Sequence, residues 1–378
     1  MERNSNATQP VCSSIFSSRK GTGAYNPSSA EVFCDRLDRR IGKTNPAAVD
    51  AATPLPATEI KEMANYVRIA TIGPRPEQVN EDLQPQEMVE HMIGFWKGKL
   101  NQVLPDRPDL IVVPEACDRL ITPGFSTDQL TEYYRVRKDQ VRDFFAASAK
   151  EHHCNIVYSA ARQAEDGTWR NSSVVLDRSG NIAGIYNKNH IMVEENEEWG
   201  ILYGKEAPLI ECDFGKVVCA ICFDLNFDEL LSKYVKARPD LIIFSSMYHG
   251  GLRQTHWAYN CRCHFVGAIV GNPCQIRNPF GEVIASTTNY RDFVVADVNL
   301  DCCLAHLDGN GEKLVALKAK YGPKVNIHDP GYVGSVLISS QTDELGALEM
   351  AKEFEIELLD DYFARALAHR HVPGHMET

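Results

Sequence analysis

No apolar run in this 378-residue chain approaches the roughly 18 residues expected of a membrane-spanning helix, and the amino-terminal segment lacks a hydrophobic stretch of the secretory kind. Positive charge is also in deficit: 39 lysines and arginines stand against 51 acidic residues, a formal net charge of -12. The field of such a molecule repels phosphate backbones and anionic lipid surfaces, so nucleic acid and membranes are not expected partners. A disulfide framework is not expected either. The twelve cysteines follow no secretory segment and read as reduced thiols of a cytoplasmic protein. What is present is 44% hydrophobic and 24% charged, ample for a sizeable globular core.

Residues 1–62 are rich in Ser, Asn, Thr, Ala and Pro without sustained periodicity, and read as a flexible leader. From residue 63 to about 300 the pattern changes to short apolar runs separated by helical stretches, the signature of an α/β domain. Helices are expected over 86–104, 128–152, 227–237 and 255–265. Residues 301–378 form a C-terminal extension, expected to contain an irregular stretch and then one amphipathic helix over 345–368. A helix with an apolar face needs a surface to cover, here the domain or a partner subunit.

Three of the apolar runs end on chemically useful side chains. Leu110-Ile111-Val112-Val113-Pro114 leads into Glu115, residues 182–187 lead into Lys188, and Val217-Val218-Cys219-Ala220-Ile221 leads into Cys222. In open α/β sheets, ligand sites form beyond the carboxyl ends of strands. Taken singly, Glu115 and Lys188 fit solvated loops and Cys222 fits a small buried hydrophobe. Three such residues at three strand ends are less easily explained that way.

On these motifs the chain resembles the nitrilase superfamily of amidases, carbamoylases and related carbon-nitrogen hydrolases. The resemblance rests on Pro114-Glu115, on Tyr186-Asn187-Lys188-Asn189-His190, and on Ile221-Cys222-Phe223-Asp224-Leu225-Asn226-Phe227-Asp228-Glu229-Leu230, in the family's order across roughly residues 67–300. Trp257-Ala258-Tyr259-Asn260-Cys261-Arg262 resembles the helix that follows the next strand. The resemblance implies an α/β fold of the four-layer αββα sandwich type and a homodimer or higher homo-oligomer. It also implies a Glu-Lys-Cys triad of Glu115, Lys188 and Cys222 acting on a small-molecule amide or carbamoyl substrate, with no cofactor and no metal. The family commonly has a second glutamate between lysine and cysteine. Glu194, Glu195, Glu197 and Glu198 are available, and spacing from Lys188 and to Gly204 favours Glu197. Phe223-Asp224 follows the cysteine where true nitrilases have Trp-Glu, which favours amides over nitriles. Asn226 and Asp228 stand where many members have arginine and proline. An N-carbamoyl amide hydrolase is the runner-up. The discriminator is a basic side chain placed to meet a substrate carboxylate, for which the sequence offers Arg119, Arg253 and Arg262.

The chemistry explains why these groups belong together. An amide carbonyl is a poor electrophile, and a thioester intermediate divides one difficult step into two. Free cysteine and free glutamate differ by about 4 pKa units, roughly 5 to 6 kcal/mol against direct proton transfer. Glu115 should therefore lie out of water, and Lys188 should favour the thiolate of Cys222. Lys188 and the backbone N–H of Phe223 would form the oxyanion hole, with the Phe223 ring packed in the core. Asp224, just before an expected helix, suits a cap.

Other readings compete. Cys219-Ala220-Ile221-Cys222 has the C-x-x-C form of a thiol-disulfide oxidoreductase, but residues three apart on a strand point to opposite faces. His249, His256, Cys261, Cys263 and His264 suggest a metal site, yet Cys261 and Cys263, two apart on an expected helix, should face about 200° apart. Cys302-Cys303 lacks a second pair at zinc-ribbon spacing. An inactive relative used as a binding or scaffold protein is a third class, disfavoured by retention of all three triad residues.

Overall fold

β-Branched and long aliphatic side chains crowd the short apolar runs, a composition suited to strands covered on both faces. The computed structural model describes residues 65–377, apart from 81, 121–125 and 272, so the expected leader lies outside the described residues. The chain runs through β1 (Tyr66–Ile72), α1 (Pro85–Val103), β2 (Leu110–Val112), α2 (Thr127–Arg137), α3 (Gln140–His152), β3 (Asn155–Gln163), β4 (Trp169–Leu176), β5 (Ile182–Asn187) and the short α4 (Val193–Glu197). It continues through β6 (Ile210–Cys212), β7 (Gly215–Ile221), a 3-10 turn (Cys222–Asn226), α5 (Asp228–Ala237), β8 (Leu241–Ser246), α6 (Leu252–Cys261), β9 (His264–Ile269), β10 (Gln275–Arg277), β11 (Val283–Ser286) and β12 (Phe293–Asn299).

Two six-stranded sheets result, in the orders β12-β1-β2-β3-β4-β5 and β11-β10-β9-β8-β7-β6. Strand alternation sorts the first sheet's side chains into two layers. Val67, Ile69, Leu110, Val112, Val157 and Val175 join the core shared with the second sheet. Their neighbours Ala70, Ile72, Ile111, Val113, Ile156 and Val174 pack instead with Met88, Met92 and Trp96 of α1 and Phe145 of α3. On the far side of the second sheet, Leu230 and Tyr234 of α5 and Trp257 of α6 complete the fourth layer. The fold is thus the αββα sandwich, and a one-residue slip of any central strand would exchange its two buried faces.

Strand direction then decides where the chemistry gathers. β1, β2 and β3 are parallel, and β5 follows two antiparallel pairings, so it runs the same way as β2. Glu115 and Lys188 therefore leave the first sheet at the same edge. β7, β8 and β9 are likewise parallel, and Ser245 at the end of β8 donates its hydroxyl to the Val113 carbonyl at 2.9 Å, tying the two sheets together beside Glu115.

Three expectations need correction. The helix expected over 128–152 breaks at Lys138, whose φ of 43° is left-handed, because the neighbouring Arg137 is drawn into the interior to bind Asp118 at 2.7 Å. The helix expected over 255–265 begins earlier and ends at Cys261. Arg262, at φ 57°, turns the chain into β9, so Cys263 lies in that turn and not on the helix with Cys261. The extension is more ordered than expected: β13 (Cys302–His306), α7 (Gly311–Tyr321), β14 (Val325–His328) and β15 (Ser335–Ser340) build a third sheet in the order β13-β15-β14. The single helix over 345–368 is two, α8 (Ala347–Glu353) and α9 (Leu359–Arg370). Glu355 at φ 52° separates them, and Ile356 turns into the extension's core. Leu304, Leu337 and Leu359 pack on Phe280 of the sandwich. No helix among the described residues is long and apolar enough to cross a membrane.

Candidate active site

The loop after β2 is held tightly before it reaches solvent. The Cys117 N–H donates to the Ser159 carbonyl at 3.0 Å, and Asp118, fully buried, takes hydrogen bonds from Arg137 and from the Tyr158 hydroxyl at 2.6 Å. That anchoring keeps Glu115 inward, 4% exposed. Its Oε1 accepts from Lys188 Nζ and from Asn171 Nδ2, both at 2.9 Å, and its Oε2 accepts the Met247 N–H at 3.2 Å.

Lys188, 2% exposed, is fixed by its backbone. Its N–H donates to the Asn171 carbonyl and its carbonyl accepts from Gly204, each at 2.8 Å. A Cβ at Gly204 would lie 2.1 Å from the Asn187 carbonyl oxygen, so only glycine lets this loop close on the end of β5.

Cys222 ends β7 in a left-handed conformation, φ 47°, which a side chain adopts only when its surroundings impose it. Asp224 does the imposing. Completely buried, it accepts the Ile221 N–H at 3.0 Å, the Tyr186 hydroxyl at 2.7 Å, the His190 N–H at 2.8 Å and the His190 Nδ1 at 3.0 Å. It is more than a cap, because it ties the turn carrying Cys222 to the segment carrying Lys188. The Cys222 thiol lies close enough to Glu115 and Lys188 for both to act on its proton. Glu115, Lys188 and Cys222 are therefore brought together.

The acidic run departs from the spacing argument. Glu195, not Glu197, meets Lys188 Nζ, with its Oε2 at 2.9 Å, and its Oε1 accepts from Asn171 at 3.0 Å. The reason is local: α4 starts after Met192, so Glu195 is its third residue and folds back to accept the Met192 N–H at 2.9 Å. Glu194, Glu197 and Glu198 are exposed. Asn171, which the sequence reading passed over, bridges the two carboxylates. Its signal was the polar run Asn171-Ser172-Ser173 inside a buried strand. The Phe223 ring also differs from expectation: it is 37% exposed, edge-on to Phe227, which stacks on His190 at 3.9 Å.

Charge at the cluster is two carboxylates against one ammonium, and the shifts follow. Burial, then the Glu115 carboxylate, pushes the Cys222 thiol up to about 12, with Lys188 pulling the other way without prevailing. Lys188 thus favours the thiolate, as expected, while burial and Glu115 act more strongly toward the neutral thiol. Burial acts to lower Lys188, but Glu115 and Glu195 outweigh it and hold the ammonium above its ordinary range. Burial acts to raise Glu195, and Lys188 outweighs that, so its carboxylate lies below the usual range.

The other sequence candidates stay outside this cluster. Cys219 is buried in the core beside Cys212, where burial raises its thiol. Among the described residues no group of three or more His, Cys, Asp or Glu side chains could hold a metal ion. Arg253 binds Asp228 Oδ1 at 2.9 Å and the Asn226 carbonyl at 3.2 Å, the two positions where the sequence departs from the family pattern, and Arg262 binds Asp360 at 3.0 Å.

The four-layer sandwich and the family match together place the chain in the nitrilase superfamily. The profile of the carbon-nitrogen hydrolase family matches residues 68–266, and the chain belongs to that family. A probable nitrilase of Schizosaccharomyces pombe is 26% identical over 164 residues, 42% of this chain and only 58% of that protein's length. The 2-oxoglutaramate amidase of Bacillus subtilis is 23% identical over 208 residues, 51% of this chain and 78% of its own. The crystal structure of Saccharomyces cerevisiae Nit3, a member of branch 10 of the nitrilase superfamily, superposes on 63% of this chain and 91% of its own with a TM-score of 0.51 at 16% identity, a likeness of fold.

Proposed function

We propose that the chain hydrolyses the amide bond of a small molecule through a thioester on Cys222. The observation that carries this reading is a buried Glu115 carboxylate that is bonded to the Lys188 ammonium and lies beside the Cys222 thiol, close enough to raise it. A thiol held neutral can attack only as its proton leaves, and Glu115 is the carboxylate beside it. The Cys222 sulfur adds to the carbonyl carbon while its proton passes to Glu115. Negative charge then forms on the carbonyl oxygen, beside Lys188 and the Phe223 N–H. Phe223 is the second residue of the 3-10 turn, where N–H groups lack partners within the turn. Glu115 returns the proton to the departing nitrogen as the C–N bond breaks. Water, deprotonated by Glu115, next cleaves the C–S bond, releasing the carboxylic acid and restoring the thiol. Glu195 and Asn171 are positioning residues that keep Lys188 and Glu115 oriented. The similarity to a 2-oxoglutaramate amidase supports an amide over an N-carbamoyl substrate.

A panel of simple amides, ω-amides and N-carbamoyl acids, assayed for ammonia release with wild type and Cys222→Ala, tests the reading. Turnover of an amide by wild type alone, with a mass increase on Cys222 during turnover, is expected. Equal activity in the variant, or no turnover of any class, would refute it. Turnover of N-carbamoyl acids alone would move the assignment to the carbamoylase branch.

A further inference from the structure

The geometry points to Arg119 as a specificity-determining residue that binds a carboxylate at the far end of the amide substrate. This rests on the amide-hydrolase reading above. Of the three arginines the sequence offered, Arg253 and Arg262 are consumed by Asp228 and Asp360. Arg119 is not. Its guanidinium lies over the ring of Trp199, 4.4 Å from the centroid, and among the described residues it has no carboxylate or carbonyl partner.

Two features tie this stack to the segments that carry the site's carboxylates. Arg119 stands four residues after Glu115 on the same loop, its N–H held by the Ala116 carbonyl at 2.9 Å. Trp199 stands four residues after Glu195, just past the end of α4. Glu115 and Glu195 both bind Lys188 Nζ, so the Arg119–Trp199 stack joins the two segments that supply the site's carboxylates. Arg119 is half-buried and Trp199 is 39% exposed, the accessibility of a rim rather than a core.

Stacking and carboxylate binding are compatible in one guanidinium. The ring covers a face of the planar group, and the N–H donors lie in its plane, free for a bidentate carboxylate. The catalytic cluster carries a net negative charge and repels an anion near the scissile bond. A substrate carboxylate is therefore tolerated only at a distance from the amide, where a cation meets it. The fitting class is a short-chain amide bearing its carboxylate at the other end; the carboxylate of an N-carbamoyl acid would meet the same arginine, and the substrate panel above separates the two.

The test compares succinamate with its neutral counterpart succinamide, by ammonia release, in the full chain and in Arg119→Gln, Arg119→Lys and Lys205→Gln. Lys205, exposed next to Gly204, is the control for a general effect of positive charge. Wild type is expected to prefer succinamate. Arg119→Gln should raise KM for succinamate about 10- to 100-fold, the loss of a charge-assisted hydrogen-bonded pair, with kcat little changed and succinamide within about twofold. Arg119→Lys should recover part of that loss, since it keeps the charge but not the fork. Equal losses on both amides would mean that the stack is only structural and overturn the proposal, as would loss of preference in Lys205→Gln alone. Turnover of succinamide without preference for succinamate refutes this inference alone. Turnover of neither amide, with no acyl-enzyme in wild type, refutes the amide-hydrolase reading beneath it.

Discussion

Glu115→Gln separates two properties of Cys222 that are usually assumed to move together. The Glu115 carboxylate raises the thiol through its charge, second to burial, and Lys188 opposes it. Replacing that carboxylate with an isosteric amide removes that contribution and leaves Lys188 acting against burial. The thiol, at about 12 in the wild type, should fall toward its ordinary value. At pH 8 a thiol of pKa about 12 is ionised in about one molecule in 10⁴, and each unit recovered multiplies that population about tenfold. The less basic thiolate is the weaker nucleophile, which cancels about half the logarithmic gain and leaves roughly a threefold rate increase per unit. Alkylation of Cys222 by iodoacetamide, followed by peptide mass mapping from pH 7 to 10, should therefore be about three- to tenfold faster at pH 8 in the variant. In wild type the rate should climb across the whole range without a plateau. Amide turnover should move the opposite way, falling about 10²- to 10⁴-fold as the proton acceptor is lost. Alkylation that is unchanged or slower in Glu115→Gln would refute the claim that this carboxylate holds the thiol neutral.

Two further outcomes follow from buried groups. Asp224→Asn replaces a carboxylate that accepts from Ile221, Tyr186 and His190 with an amide that cannot accept from all of them. At about 1 to 3 kcal/mol per stranded buried donor, it should cost about 2 to 4 kcal/mol in urea unfolding and depress turnover by releasing the Cys222 turn; a loss below about 1 kcal/mol would contradict the clamp. His264 is buried with no partner at Nδ1, and burial pushes it down to about 4. The unfolded chain takes up this proton below about pH 6.5 and the folded chain does not, so stability present above 6.5 is lost as the pH falls to 4, up to about 3 kcal/mol. His264→Phe should flatten the dependence of the urea midpoint on pH between 6.5 and 4, and an unaltered slope would show that other groups set it.

The parts of the site legible in the sequence are those whose position follows from strand direction alone. Glu115, Lys188 and Cys222 each end a run of buried-type residues, and parallel or doubly reversed strands deliver such ends to one edge whatever the loops do. Glu195 and Asn171 were hidden for opposite reasons. Glu195 depends on where a five-residue helix begins, and moving that start by one residue would have presented another residue of the acidic run. Asn171 lies in β4 before its apolar part, so a reading that begins the strand at Ser173 never asks what a buried asparagine is for. The breaks at Lys138 and Glu355 were silent because neither is glycine or proline; their left-handed conformations are set by what their neighbours bury, Asp118 for one and the extension's core for the other.

The same contrast separates the thiol's placement from its charge state. A strand end predicts that Cys222 meets Glu115 and Lys188, but not which of them governs its proton, because that depends on how many carboxylates share one ammonium. Had Glu195 faced solvent, Lys188 would answer to Glu115 alone and the cluster would be neutral with the thiol protonated. With Glu195 inside, the site is one charge more negative, and a thiolate becomes costlier at rest. The second glutamate thus holds Lys188 in place and keeps its ammonium charged. The negative charge it adds also makes a distant cation, Arg119, necessary for any substrate that is itself an anion.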